Sequence, residues 1–279
     1  MAVRIIVESS CDMLQSDFEK CTVLPMSINF DSEEYLSGVN LTHNEFYEKL
    51  IESDTLPTTS QVPPSAFEKV FEEIRKDGDT AVVITLSQNL SGTYQSACIA
   101  KEEYPEFFVV DSKSVSIGIG ILAKTAIRLK EQNKSAKEIA EILKTERERI
   151  IVVALLDTLE YLKKGGRISS TLAFAGAMLN IKPVVSLTGG EIKMLGRARG
   201  SKQGNNLLVE QITSAGGIDF SSDVLLGYTG LSDLMLKKYI ADSESLYKGQ
   251  KDNLEYTQIG SIVGTHAGPG AIAVAFFRK

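Results

Sequence analysis

Tryptophan is absent from the 279 residues, histidine occurs twice and cysteine three times. Cys11, Cys21 and Cys98 form no C-x-x-C pair and leave an odd count. That sets aside a disulfide framework and a cysteine-rich zinc module, and points to reduced thiols in the cytosol. Positive charge is in deficit: 30 Lys and Arg against 36 Asp and Glu give a net charge of -6. Nucleic acid and anionic membrane surfaces are therefore poor partners. The longest apolar runs, Ile150 to Leu156 and Ala271 to Phe277, fall far short of the roughly 20 residues that cross a bilayer. Met1 to Glu8 is too short and too soon charged for a signal peptide and reads as a first strand. These features describe a soluble, cytoplasmic protein. The usual catalytic signatures are missing as well: no G-x-x-x-x-G-K-[ST], no G-x-G-x-x-G after a strand, no G-x-S-x-G elbow and no H-E-x-x-H.

What the chain does contain is an ordinary globular balance, 43% hydrophobic and 24% charged, at a length that favours two domains. Residues 1–150 alternate strands and helices, the pattern of a parallel sheet flanked by helices. Strands are expected at Val3–Val7, Ala81–Leu86 and Phe107–Val110, with a looser extended stretch at Val23–Phe30. Helices are expected near Gly92–Glu103 and Val115–Glu131. Thr42 with Glu45, Ser65 with Glu68 and Ser135 with Glu138 are spaced as capping boxes, each ahead of an amphipathic run. The first run carries Phe46, Leu50 and Ile51. Residues 151–279 read as a mixed or antiparallel α/β domain. A Gly189-Gly190 hairpin joins two strands there, a small-residue helix is expected over Ala173–Leu179, and strands recur at Val224–Tyr228, Tyr256–Ile259 and Ala271–Phe277.

Three segments carry candidate chemistry. Leu56-Pro57-Thr58-Thr59-Ser60-Gln61 and Leu86–Gln95 each place hydroxyls in a loop ahead of a helix. Helix N-termini offer free N–H groups and partial positive charge to an anion, and hydroxyls add donors. Thr59, Ser87 and Ser91 would stand at the carboxyl ends of the strands, where open parallel sheets bind ligands. Gly264–Gly270 sets His266 in a glycine-rich turn. Together the three segments suggest a seat for one small anionic head group. Taken singly, each residue has a plainer reading: Thr59 and Ser91 as caps, Arg167 as a neutraliser of helix carbonyls, Arg197–Lys202 as a solvated patch, His43 as an exposed side chain.

The sequence resembles the DegV family of bacterial fatty acid-binding proteins along nearly its whole length. The resemblance runs through Glu8-Ser9-Ser10-Cys11-Asp12-Met13, Val39-Asn40-Leu41-Thr42, Pro57-Thr58-Thr59-Ser60-Gln61 and Leu90-Ser91-Gly92-Thr93-Tyr94. It continues through Asp111-Ser112, Leu159 to Ile168 with its Gly165-Gly166-Arg167, Asn180-Ile181-Lys182-Pro183 and Gly264–Gly270. The resemblance implies a long-chain fatty acid such as palmitate, stearate or oleate in an internal tunnel. Its carboxylate would be held by Thr59, Ser91 and His266, with Thr58 and Gly92 beside them. It also implies a separate ATP-binding kinase subunit, engaged through Arg167 and Arg199, that makes the acyl phosphate. The chain itself would then be non-catalytic, with no cofactor and no metal. Physical chemistry agrees with a tunnel: about 15 methylenes gain roughly 12 kcal/mol on leaving water, at ~0.8 kcal/mol each. Three positions depart from the family pattern: Glu8 where aspartate is usual, and Ser201 and Gln203 where basic residues are expected. The competing reading is an acyl hydrolase with Ser91 as nucleophile, His266 as base and Asp111 or Asp157 as the orienting acid.

Overall fold

The computed structural model describes residues 2–168, 180–247 and 249–279, so the helix expected over Ala173–Leu179 lies outside the described residues. From the N-terminus come β1 (Val3–Glu8), α1 (Gln15–Phe18), β2 (Thr22–Leu24), β3 (Ser27–Phe30), β4 (Glu33–Leu36), α2 (His43–Glu52), β5 (Thr58–Ser60) and α3 (Pro64–Lys76). Next are β6 (Thr80–Thr85), α4 (Thr93–Ala100), β7 (Phe107–Asp111), α5 (Ile117–Glu131) and α6 (Ala136–Glu146). The rest comprises β8 (Ile150–Leu155), α7 (Glu160–Lys164), β9 (Ile181–Thr188), β10 (Glu191–Arg199), α8 (Gly200–Ser214), β11 (Val224–Tyr228), α9 (Leu234–Asp242), α10 (Glu244–Tyr247), β12 (Glu255–Gln258), α11 (Ser261–Ala267) and β13 (Ile272–Phe277).

The strands form three sheets, one of which, the small antiparallel one, the sequence reading did not anticipate. Those before residue 150 form a parallel sheet ordered β2-β1-β6-β7 and a small antiparallel sheet ordered β4-β3-β5. Those after it form a mixed six-stranded sheet, β10-β9-β8-β13-β11-β12, antiparallel except where β11 meets β12. The extended stretch at Val23–Phe30 divides into β2 and β3, each in a different sheet.

Helix α5 joins the two large sheets. It is buried almost continuously from Ile117 to Ile127, the pattern of a helix covered on every side. It packs on β1 and β6 of one sheet and on β8, β11 and β13 of the other. Val7, Ile84, Ile121, Val152, Leu225 and Ala275 consequently share one core. Glycine makes the approach possible. A Cβ on Gly118 would lie 2.6 Å from Val152 Cγ2, and one on Gly120 would lie 2.2 Å from the Asp12 carbonyl oxygen.

Local chemistry explains most helix starts. The Thr42 and Ser135 capping boxes form as read, with Glu45 N to Thr42 Oγ1 at 3.3 Å and Glu138 N to Ser135 Oγ at 3.3 Å. The Ser65–Glu68 box does not form. Pro64 occupies the first helical position, where its fixed φ and missing N–H cost nothing, so the helix starts one residue before the serine. Phe46 and Leu50 are buried as expected, whereas Ile51 is exposed. Gly189 and Gly190 both have positive φ, 65° and 87°, as a two-residue turn between right-twisted strands requires. The Arg197–Lys202 run, read as a solvated patch, spans the end of β10 and the start of α8; Arg197, Arg199 and Lys202 are exposed and Ala198 is buried, and α8 buries Leu208 and Ile212 at the i, i+4 spacing.

Candidate functional site

A cavity of some 970 Å³, its opening included, lies between the carboxyl edge of the parallel sheet and the six-stranded sheet. Its walls are mostly apolar: Leu86 after β6, Val152 and Ala154 on β8, Leu187 on β9, Ala273 on β13 and Ile262 on α11. At one end stand Thr59, Ser91, His266 and Arg167. Sequence reading thus selects residues that folding does gather, although Thr59 and His266 are 207 positions apart.

Thr59 lies on strand β5 and not in a loop, paired with Ile28 of β3. The strand's alternation turns it to the face opposite Thr58, which is exposed and forms no part of the cavity wall. His266 sits in the last turn of helix α11 and not in a free turn. Its Nε2 is 3.0 Å from Thr59 Oγ1, and its Nδ1 is buried without a partner. Burial, then the nearby Arg167 charge, lowers the His266 pKa to about 4, so the ring is neutral at pH 7. A buried N–H without an acceptor is rarer than a bare lone pair. The proton therefore belongs on Nε2, donating to Thr59 Oγ1 and leaving the threonine hydroxyl free to donate into the cavity.

Gly165 makes room for this ring: a Cβ there would fall 2.2 Å from His266 Nδ1. Gly165 and Gly166 end helix α7, Gly166 with φ of 70°, the left-handed residue that commonly closes helices. Arg167 follows, half-buried in the cavity wall rather than on an exposed turn. Its Nη1 donates to Gly165 O at 2.6 Å and its Nε to Leu90 O at 3.2 Å, so it braces the residue before Ser91. Ser91 Oγ is 3.0 Å from Thr93 Oγ1 and accepts from Thr93 N at 3.3 Å, at the N-terminus of α4. Gly92 lies outside the cavity wall against Gln61: a Cβ there would fall 2.1 Å from Gln61 Oε1 and displace the end of that side chain.

Other readings move. Ser87 is fully buried and donates to Gly190 O at 2.7 Å, pinning the β9–β10 hairpin instead of lining the cavity. His43 is half-buried, and burial lowers its pKa. Arg199 is exposed at the β10–α8 junction, where its backbone N–H donates to Gln203 Oε1. The hydrolase constellation does not assemble. Ser91 pairs with Thr93, Asp111 Oδ1 accepts from Lys113 N at 2.9 Å, and Asp157 pairs with Lys182 at 2.5 Å. Among the described residues no group of three His, Cys, Asp or Glu side chains could hold a metal ion. No described helix is long and apolar enough to cross a membrane.

Glu8, the residue that departs from the expected aspartate, is structural. Its Oε1 accepts from Leu86 N at 2.8 Å and Ser10 Oγ at 2.9 Å, tying the ends of β1 and β6 together. Burial raises its pKa to about 7. A carboxyl raised in the folded state stabilises below its unfolded pKa, and that contribution disappears as pH rises through about 7. Glu8→Gln should therefore remove part of the wild-type loss in unfolding free energy between pH 5 and 8, up to roughly 3 kcal/mol, as read by denaturant titration. Parallel pH profiles for the two proteins would contradict this.

The arrangement so far defines an α/β protein of two large sheets built around a buried apolar cavity with one polar end. The chain belongs to the DegV family: residues 2–279 match the model described as "Uncharacterised protein, DegV family". It is 33% identical over 261 residues to a DegV domain-containing protein of Caldanaerobacter subterraneus subsp. tengcongensis, covering 92% of this chain and 91% of that one. A DegV family protein from Thermus thermophilus, described for its fatty acid binding, superposes with a TM-score of 0.87 at 28% identity, covering 99% of this chain and all of the other. The fatty acid kinase B3 protein of Streptococcus pneumoniae, loaded with linoleic acid, has the same fold: TM-score 0.85, 20% identity, full coverage of both chains.

Proposed function

We propose that this chain binds one long-chain fatty acid with its tail in the cavity and its carboxylate at Thr59, Ser91 and His266. The observation that carries the reading is the junction itself: an apolar cavity ends at a neutral imidazole hydrogen-bonded to a threonine, with a serine at a helix N-terminus beside them. A carboxylate cannot enter an apolar cavity unpaired; the Thr59 and Ser91 hydroxyls can donate to it, with His266 orienting the threonine proton. Residues 1–150 and 151–279 act as two domains meeting at that cavity, in a cytoplasmic protein that needs no cofactor or metal.

The chain serves as the non-catalytic subunit of a fatty acid kinase. It presents the head group to a separate ATP-binding partner, which forms the acyl phosphate. The motif resemblance and the kinase B3 protein's shared fold support this reading. Arg199, exposed beside Gly200, is the partner-facing cation, suited to gripping carboxylate or phosphate bidentately, while Arg167 is held in the cavity wall beside the head-group end and serves the partner by bracing that end. Organic extraction of the purified protein should yield about one long-chain fatty acid per chain. An empty extract, with no thermal shift on adding palmitate or oleate, would sink the reading. Arg199→Ala should keep fatty acid affinity and slow ATP-dependent acyl phosphate formation when a kinase subunit is supplied. A variant phosphorylated as fast as wild type would remove Arg199 from that role.

A further inference from the structure

Helix α11 runs beside the cavity, with His266 in its last turn and Gly260 just before its first residue. At the Gly260 end three elements converge on one carboxylate. Gly260 N donates to Asp12 Oδ1 at 2.8 Å and Ser116 Oγ donates to Asp12 Oδ2 at 2.6 Å. Both side chains are buried, Asp12 5% exposed and Ser116 3%. Ser116 and Ile259 line the apolar cavity, while Asp12 and His43 line a second cavity on the other side. The Ser116–Asp12 hydrogen bond therefore links a side chain that borders the apolar cavity to one that borders the second.

Ser116 is held in a costly conformation to make this bond. Its φ is 58° and ψ -131°, a region that non-glycine residues rarely occupy and that persists only where surroundings enforce it. The Asp12 bond, Ser116 N to Ser10 O at 3.1 Å, and the first amides of α5 donating back to Ser116 O enforce it here. Glycine would satisfy that backbone without strain. A serine at such a position accepts backbone strain in exchange for the hydrogen bond its side chain makes to Asp12.

We infer that Ser116, positioned by Asp12, is the wall against which the methyl end of the acyl chain stops, and that it sets the longest chain this protein accepts. The inference rests on the fatty acid reading above. Each further methylene either finds apolar space or remains unburied, so a wall here separates chains that differ by a few carbons. Removing the Ser116 side chain extends the cavity toward the second one.

The test uses the intact protein and two measurements. Palmitic acid carrying a terminal diazirine, bound and irradiated, should label peptides containing residues 10–13, 115–119 or 257–262; label confined to the β9–β10 hairpin would overturn the wall. Ser116→Gly, compatible with the local backbone, should raise the affinity for arachidic acid relative to palmitic acid by about tenfold, the value of a methylene or two. An unchanged ratio in a folded variant would also overturn it. Should the variant fail to fold, the photolabel decides on wild type alone. Wild-type protein that binds palmitic acid but labels elsewhere refutes the wall only; wild-type protein that binds no fatty acid refutes the underlying reading.

Discussion

Replacing Ser91 with alanine lowers the affinity for palmitate by about ten- to a hundredfold, because a hydrogen bond to a charged group is worth roughly 1.5–3 kcal/mol. Thr59→Val, which keeps the branched shape suited to a strand, should have a similar effect. So should His266→Gln, which removes the imidazole that orients the threonine proton. All three should remain folded. Ser91 and Thr59 are only part-buried, and the Ser91 hydroxyl makes local bonds to Thr93 alone. Losing that N-terminal contact costs at most the ~0.5–2 kcal/mol of a helix cap. Displacement of a fluorescent fatty acid measures all four proteins on one scale. A variant that binds like wild type would mean that the head group sits elsewhere.

A second large effect concerns stability. Gly120→Ala puts a methyl 2.2 Å from the Asp12 carbonyl oxygen. That oxygen belongs to backbone held by neighbouring elements, so the helix must shift, and overpacking of this kind costs about 1–3 kcal/mol or more. Gly204→Ala is the matched control, since its new methyl meets only the ends of the Leu155 side chain at 2.8 Å, which can rotate away. Urea midpoints should fall clearly for Gly120→Ala and much less for Gly204→Ala. Equal losses would show that α5 does not approach the Asp12 loop as closely as described.

The parts of the fold legible in sequence are those with a local physical cause. Val3–Glu8 is a short apolar strand, Thr42 and Ser135 carry reciprocal caps, and Gly189-Gly190 allows a turn few other residues can make. The misread parts take their form from distant contacts. Strand β4, Glu33-Glu34-Tyr35-Leu36, is mostly exposed and shows no apolar alternation. Helix α11 contains glycine, valine and threonine, all weak helix formers, and is helical because it packs on α2, β3, β5 and α7.

The site divides in the same way. Residue types singled out Thr59, Ser91 and His266, because hydroxyls and an imidazole are groups that could meet an anion, and the structure brings the three to one cavity. Nothing local showed that Thr59 lies on a strand, that Arg167 braces Leu90, or that Ser116 bonds to Asp12. Those facts depend on α5 and α11 bringing the two halves of the chain together. The positive φ of Ser116 leaves no trace in composition or spacing.

The position of β13 has a consequence for synthesis. This strand lies between β8 and β11, although β8 ends at Leu155 and β13 begins only at Ile272. A nascent chain that has emerged as far as β11 holds two facing strand edges with no strand between them, and such edges readily pair with other chains. The parallel sheet has no such gap, since all its strands precede residue 112. Folding on the ribosome can thus proceed early for the segments that carry Thr59 and Ser91 and must wait for the sheet that completes the cavity. Premature termination anywhere between these points leaves an aggregation-prone fragment, a natural client for chaperones and proteases.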